Sequence, residues 1–394
     1  MTAARTQLRP NPPRPETPIL ALEDVSTGYH GGWRLGTGAR NRHRTPDADT
    51  GHRTTMTRED PLLAAGKLPA DALERMLARL PRGDPRVIIG PRLGEDAAVL
   101  DVGDRYLVAT TDPITFASDR IGWYSVHVNA NDIAVLGACP RWFFAVLLLP
   151  EGRATTGQAE AITADIARTC RALDIALCGG HTEVTTGLDR PIVVGQMLGE
   201  VEKDRLVRKD RLEAGDRILL TRGAAIEGTA ILAREKADVL GPRIGADLLA
   251  RAQGLLFDPG ISIVDAARTA TMAGDVHAMH DPTEGGIATG LWELAIASKV
   301  GLEVDGDAIP VLDETRQLCR VFGLDPLGVI ASGALLIAVS EPDAERTCAA
   351  LLAAGIRAAP IARAVPADRS LTLRTASGVR PLPRFDQDEI TRLF

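Results

Sequence analysis

Short apolar runs of strand length alternate with helical patterns along most of the chain, and this alternation constrains the fold most strongly. The runs include WFFAVLLL at 142–149, PIVVGQML at 191–198 and GALLIAV at 333–339. Elsewhere along the chain, patterns such as ADALERMLARL at 70–80 place apolar residues on one face of a helix. Strands that alternate with helices predict an α/β (α+β) fold in which these runs are buried strands.

Length and composition limit the class of protein. The 394 residues suggest two or more domains. A net charge of −7 provides no overall basic surface, so nucleic acid is an unlikely partner. The sequence contains no apolar run of about 18 residues, so no membrane span is predicted. The five cysteines show no disulfide spacing and no signal peptide precedes them, which predicts a cytoplasmic location.

Residues 1–55 differ from the rest of the chain. They are rich in Arg, Pro and Gly and show no sustained periodicity. They are therefore interpreted either as a disordered basic extension or as an extension that precedes the true start at Met56. The remaining chain is predicted to form domains at 56–205 and 206–380, followed by a tail at 381–394. The charged stretch 200–212 at this boundary is expected to be a solvated linker.

Carboxylates recur at predicted strand ends and tight turns. The motifs are GEDAAV at 94–99, TTD at 110–112, ND at 131–132, GGHTE at 179–183 and HDPTEGG at 280–286. Oxygen ligands of this kind suit Mg²⁺ together with phosphate oxygens. Asp132 is the most informative, because a carboxylate on an apolar helix is costly unless it is paired or bound to metal.

Other readings of these residues remain open. Asp96 and Asp281 could each be a simple turn or cap residue. Cys178, His181, His277 and His280 have C-x-x-H and H-x-x-H spacing, which could bind Zn²⁺. The Gly285-Gly286 pair at a helix start could offer free amides to a phosphate. Phosphate-loop, dinucleotide, H-E-x-x-H and G-x-S-x-G motifs are absent from the sequence.

The ordered motifs resemble those of the AIR synthase-like (PurM-like) superfamily from about residue 84 onward. This group includes aminoimidazole ribonucleotide synthase, thiamine-monophosphate kinase, selenophosphate synthetase and the hydrogenase maturation factor HypE. DPTEGG at 281–286 is most similar to the HypE-related branch. The resemblance implies two α/β domains, the N-terminal one contributing strands to a β-barrel at a homodimer interface, with ATP bound in the cleft.

The resemblance also implies a set of site residues, with ATP and Mg²⁺ as cofactors. The implied metal ligands are Asp96, Asp112, Asp132, Asp281 and Glu284. The implied nucleotide contacts are Gly94, Asp96, Thr110, Thr111, Asn131, Gly179, Gly180, Thr283 and Gly285. The implied catalytic residues are Asp132, His181 and Lys67. Lys67 could reach a phosphate, or it could be an ordinary exposed loop lysine.

The chain departs from the branches it resembles at two places. His181 stands where the kinase branch has Asp, and Pro383-Arg384-Phe385-Asp386 stands where HypE proteins end in Pro-Arg-Ile-Cys. The expected function is an ATP- and Mg²⁺-dependent phosphoryl-transfer or ATP-activating enzyme, whose substrate is a small molecule or protein with a phosphoryl-accepting oxygen. The alternatives are a small-molecule kinase or cyclo-ligase, and a non-catalytic ATP-binding assembly factor for metalloenzymes.

Overall fold

The computed structural model describes residues 63 and 66 and residues 68–81, 83–115 and 119–394. Residues 1–55 and Lys67, to which the sequence assigned an extension and a catalytic role, lie outside this part of the chain. The described residues belong to one compact unit, residues 62–394. They form two β-sheets with helices, so the α/β class is confirmed. In this part of the chain, no helix has the length and apolar character needed to cross a membrane.

The first sheet has six strands in the order β1-β2-β3-β6-β4-β5. The strands are β1 (Val87–Ile89), β2 (Ala98–Asp101), β3 (Arg105–Ile114), β4 (Cys139–Pro150), β5 (Ala176–Thr185) and β6 (Ile192–Glu202). Its helices are α1 (Ala70–Leu77), α2 (Ile121–Ala134) and α3 (Thr156–Ala172). β3 pairs antiparallel with β6 along its whole length, and β5 pairs only with β4, which makes it an edge strand.

Helix α2 is buried on almost every side, and its buried residues include polar side chains as well as apolar ones. It packs against β3, β6, α3 and the later helix at 264–273. The Asn131 amide donates to the carbonyl of Ile261 at 2.9 Å and accepts from the amide of Ile263 at 2.9 Å. These bonds fix the rotation of α2 about its axis, and they therefore fix where the neighbouring Asp132 is placed.

The second sheet has seven strands in the order β13-β12-β9-β11-β7-β10-β8. The strands are β7 (Arg217–Thr221), β8 (Val276–His280), β9 (Gly301–Asp305), β10 (Leu336–Val339), β11 (Ala358–Val365), β12 (Thr372–Thr375) and β13 (Gly378–Pro381). The helices are α4 (Ile226–Glu235), α5 (Ala237–Ile244), α6 (Ala246–Gly254), α7 (Val264–Ala273), α8 (Gly286–Ser298), α9 (Asp313–Phe322) and α10 (Glu341–Ala353). β10 is buried along its length because β7 and β8 flank it on both sides.

The segment between the sheets is not the solvated linker that its charge suggested. After β6 it forms two short 3₁₀ turns, Lys203–Arg205 and Lys209–Arg211. Leu206, Val207 and Leu212 are buried. These apolar side chains alternate with the charged residues and hold the segment against the core. Lys209 is buried together with them.

Candidate active site

The predicted carboxylates converge on one cavity of about 770 Å³. Asp112 lies on β3 and Asp132 on α2, while Asp281 lies between β8 and α8. Asp96 lies just before β2. All four side chains line the cavity, together with Gly94, Thr283, Glu284 and Gly285. The structure therefore brings together carboxylates from both sheets, and the cavity exists only where the two sheets meet.

Thr110 and Asp132 form a buried pair at this site. Thr110 Oγ1 lies 2.8 Å from Asp132 Oδ2 and 2.9 Å from the carbonyl oxygen of Asp96. Asp132 is 4% exposed. Burial raises the pKa of Asp132 well above its usual range, and the neighbouring Asp112, Asp281 and Asp96 raise it further.

Asp281 carries an unsatisfied atom. It is 2% exposed, and its Oδ2 has no hydrogen-bond partner among the residues that the structure describes. Burial and the charge of Asp96 raise the pKa of Asp281 to about 8. A buried acceptor without a donor is costly, and so is the repulsion among clustered carboxylates. A bound divalent cation would relieve both costs, and the donor set is almost entirely oxygen, as Mg²⁺ prefers.

Lys209 holds Asp96 in place, and sequence reasoning missed it. Its side chain is 1% exposed, and its ammonium donates to Asp96 Oδ2 at 2.6 Å and to the carbonyl of Gly94 at 2.5 Å. Burial opposes ionisation of Asp96, but Lys209 and His280 outweigh it and hold the pKa of that carboxyl well below its usual range. The sequence feature that could have identified Lys209 as buried is the apolar residues on both sides of it, Leu206 and Val207 before it and Leu212 after it.

His280 connects this cluster to α8. Its Nδ1 lies 2.8 Å from Lys209 Nζ and 3.2 Å from Asp96 Oδ2, and its Nε2 lies 2.8 Å from Glu293 Oε2. Burial and Lys209 lower the pKa of His280, but Asp96 and Glu293 outweigh them and raise it to about 9. Ligand atoms of Asp96, His280 and Asp281 lie within 4.8 Å of one another, a spacing that one metal ion can bridge.

The GGHTE motif lies elsewhere. Gly179, Gly180 and His181 are part of β5 rather than of a loop after it, and they do not line the cavity. The exposed His181 faces Glu183, with Nε2 and Oε2 3.1 Å apart. A Cβ on Gly180 would lie 1.8 Å from the carbonyl oxygen of Ala145, so close strand packing explains this glycine. Within this chain, His181 therefore does not line the cavity with Asp96, Asp112, Asp132 and Asp281.

Two further nucleotide-contact predictions have structural explanations instead. The Asn131 amide is fully engaged with the backbone of Ile261 and Ile263. Thr111 Oγ1 donates to the carbonyl of Gly195 on β6 at 2.8 Å. Neither residue lines the cavity. Motif membership alone cannot distinguish a ligand contact from a bond that holds the fold together.

The free amides expected at the start of α8 are occupied. The Gly285 amide donates to Asp388 Oδ2 at 2.8 Å, and the Gly286 amide donates to the carbonyl of Thr283 at 3.0 Å. Gly285 adopts φ +80°, and a Cβ there would lie 2.5 Å from Thr289 Oγ1. The prediction that these two amides are free to bind a phosphate is therefore wrong. Asp388 of the C-terminal tail accepts from Gly285, and the Thr283 carbonyl accepts from Gly286.

The predicted C-terminal tail is part of the site. Arg384, Phe385, Asp386 and Asp388 line the cavity, and the Arg384 guanidinium lies 4.2 Å from the Trp292 ring centroid. Asp388 is buried and also accepts from the Ile390 amide at 3.0 Å. Burial raises its pKa to about 6.

Glu227, on α4, is a second missed residue. It is 4% exposed and lines the cavity, and in the described part of the chain its Oε2 has no hydrogen-bond partner of normal geometry. Burial raises its pKa to about 7, with Glu284 and Asp388 contributing. Glu284 therefore acts on Glu227 and Asp388, and it is not in the metal-compatible group of Asp96, His280 and Asp281.

The zinc alternative is wrong for this chain. His277 Nδ1 lies 2.8 Å from Asp216 Oδ2, whereas His280 belongs to the Asp96 cluster. In the described part of the chain, the metal-compatible groups that include a histidine contain neither Cys178 nor His181. Both of these residues lie exposed on β5.

Known proteins share this architecture. Residues 94–201 match the family described as AIR synthase related protein, N-terminal domain, and residues 213–373 match its C-terminal domain. The chain belongs to the AIR synthase-related family. It is 31% identical over 265 residues to a hydrogenase expression/formation protein of Methanocaldococcus jannaschii, covering 66% of this chain and 75% of that protein.

HypE proteins are among its relatives. The chain is 31% identical over 293 residues to the carbamoyl dehydratase HypE of Rhodobacter capsulatus, covering 72% of this chain and 82% of the relative. The crystal structure of hydrogenase maturation protein HypE in complex with ATP aligns with a TM-score of 0.63 at 28% identity, covering 76% of this chain and 91% of that one. The family assignment made from the motifs, with its HypE-related branch, is thus confirmed.

Proposed function

We propose that this protein is an ATP- and Mg²⁺-dependent enzyme that transfers a phosphoryl group to an oxygen of its substrate, or activates that oxygen with ATP. One observation carries the proposal: carboxylates from both sheets converge on one cavity, and Asp281 Oδ2 lies buried there without a partner. The similarity to a HypE protein solved with ATP supports nucleotide binding.

Each residue of the cluster has a role in this proposal. Asp112, Asp132 and Asp281 would hold Mg²⁺, which supplies positive charge to the phosphate oxygens when bound. The Thr110 hydroxyl orients Asp132. The Lys209 ammonium is a positioning group that keeps Asp96 ionised and fixed. The protein's contribution to the reaction is then mainly placement and electrostatic stabilisation.

A second candidate is an ATP-binding assembly factor without turnover. The tail favours it, because Asp388 already accepts a hydrogen bond from the Gly285 amide at the start of α8.

In either case a homodimer through β5 is part of the proposal, since this edge strand is exposed along almost its whole length and carries Leu177 and Val184 at the surface. A cytoplasmic location also stays a proposal, resting on the scarce cysteines.

The test measures ATP binding and ATP hydrolysis by the full-length protein, with and without Mg²⁺, alone and with a pool of cell metabolites. Asp132→Asn is the test variant, and Asp104→Asn, on the exposed turn before β3, is the matched control. We expect Asp132→Asn to lower turnover by about 100-fold or more. The control should behave like the wild type.

The outcomes separate the two candidates. Turnover that requires Mg²⁺ and Asp132 supports an enzyme. Tight ATP binding without turnover under any addition supports the assembly factor. Turnover unaffected by Asp132→Asn, or the absence of nucleotide binding, refutes the proposed site.

A further inference from the structure

A second group of acidic residues lines the cavity, separate from the four aspartates. Its members come from three places: Glu227 on α4, Glu284 before α8, and Asp388 in the tail. We propose that this group, with the Ser332 hydroxyl, binds a protonated amine of the substrate. The substrate class is then an aliphatic amine that carries the reacting oxygen elsewhere in the molecule. Only the role of that oxygen rests on the proposed function above.

Two buried atoms here lack the partners that their chemistry demands. Burial raises the pKa of Glu227, and the Ser332 hydroxyl and amide, which lie beside its carboxylate, lower that pKa in part. Glu227 Oε2 and Ser332 Oγ nevertheless have no hydrogen-bond partner of normal geometry among the described residues, although Glu227 is 4% and Ser332 1% exposed. Both side chains line the cavity. A buried carboxylate oxygen without a donor is costly, so this place is built for a ligand that brings N–H or O–H donors.

The charge of the group favours a cationic ligand. Glu284 and Asp388 lie close enough to Glu227 to influence it, and all three are acidic. The cavity is also lined by Arg92 and Arg384, but these guanidiniums pair with other carboxylates. Arg92 pairs with Glu95 at 2.5 Å, and Arg384 pairs with Asp386 at 2.7 Å. The positive charge of each arginine is therefore paired with a carboxylate outside the group of Glu227, Glu284 and Asp388.

The spacing favours an organic cation over a metal ion. In the described part of the chain, the groups that bring His, Cys, Asp or Glu ligand atoms within 4.8 Å of one another do not include Glu227, Glu284 or Asp388. Three direct metal–oxygen bonds of about 2 Å from the protein require such closeness, although a Mg²⁺ ion that keeps waters and phosphate oxygens, as proposed at the aspartates, needs fewer protein ligands. N–H···O bonds of about 2.9 Å reach across the wider gap between these three acids. An ammonium offers three donors. Ile231 and Ile330 line the same cavity and suit the methylene groups of an aliphatic amine.

The test is calorimetric titration of the full-length protein with methylammonium chloride. Tetramethylammonium chloride has the same charge without N–H donors and serves as the ligand control. The variants are Glu227→Gln and Ser332→Ala, and the matched control is Glu303→Gln on β9, whose side chain is half exposed. We expect saturable binding of methylammonium, weakened at least about 10-fold by Glu227→Gln and less by Ser332→Ala, and unchanged by Glu303→Gln.

Three results would overturn the proposal. One is no saturable methylammonium binding beyond that of tetramethylammonium. Another is binding that survives both variants. The third is Glu227-dependent binding of MgCl₂ in place of methylammonium. ATP binding by the wild type, measured on the same preparation, reports on the proposed function separately: amine binding without ATP binding refutes only that function, and ATP binding without amine binding refutes only this inference.

Discussion

Lys209 Nζ lies 2.6 Å from Asp96 Oδ2, and this buried ion pair joins the segment between the sheets to the loop before β2. The same ammonium lies 2.8 Å from His280 Nδ1 at the end of β8. One side chain therefore contacts elements of both sheets at the place where the cavity forms.

Replacing Lys209 should destabilise the protein strongly. Lys209→Met leaves Asp96 without its cation among other carboxylates, and we expect a loss of about 3–5 kcal/mol in the free energy of unfolding, measured by urea denaturation. Lys203→Met is the matched control, because Lys203 pairs with Asp101 at 2.6 Å but both side chains are about a third exposed. That change should cost less than about 1 kcal/mol. Equal losses would contradict the assigned role of Lys209.

Replacing Asp132 should separate stability from ligand response. Asp132→Asn replaces a carboxyl whose ionisation is opposed by burial and by the neighbouring Asp112, Asp281 and Asp96, so the melting temperature of the ligand-free protein should be equal to or higher than that of the wild type. Mg²⁺ should raise the melting temperature of the wild type more than that of the variant, since it relieves a repulsion that the variant has lost in part. A variant that melts lower and responds fully to Mg²⁺ would show that Asp132 is merely structural.

Replacing Asp388 should loosen the tail and the start of α8. Its carboxylate accepts from the amides of Gly285 and Ile390. Asp388→Ala leaves both buried donors unpaired, and we expect a loss of about 2–4 kcal/mol, at about 1–2 per bond. Asp386→Ala, in the same tail but exposed, is the control. Chemical denaturation of the two variants provides the comparison, and similar stabilities would refute this role.

His127 should make the protein sensitive to mild acid. It is buried on α2 with its ring centroid 4.2 Å from that of Trp123, and burial lowers its pKa from 6.5 to about 4. The unfolded chain then binds a proton at higher pH than the folded chain. The stability is full above about pH 6.5 and falls as the pH drops toward 4, by up to about 3 kcal/mol from this group.

The variant His127→Phe keeps a planar ring and removes the titration. Its free energy of unfolding, measured between pH 7 and 4, should fall less than that of the wild type. His181→Asn, at an exposed histidine on β5, is the control and should follow the wild type. A slope unchanged by His127→Phe would show that His127 is not buried as described.

The sequence predicted the carboxylate cluster because Asp96, Asp112, Asp132 and Asp281 each stand in a motif at or near one end of a regular element. It failed at Lys209 and Glu227 because a charge within a charged stretch or a helix looks solvent-exposed until packing is known. Gly180 and Asn131 serve close strand packing and backbone bonding within this chain, and their contacts with a nucleotide stay predictions. Local sequence patterns do not show which distant segments of the chain contact each other. Asp388 and the Gly285 amide, for example, form a hydrogen bond although they are 103 residues apart.

Residues of the C-terminal tail between 384 and 388 line the cavity. Their place near the end of the chain affects the order in which the site is assembled during synthesis. Translation makes the first sheet and its helices early, together with Asp96, Asp112 and Asp132, and adds Asp281 much later. Residues 384–388 follow only after every other residue that lines the cavity. A nascent chain therefore has no closed pocket in which a ligand could be retained, and ligand capture marks a chain whose tail has docked.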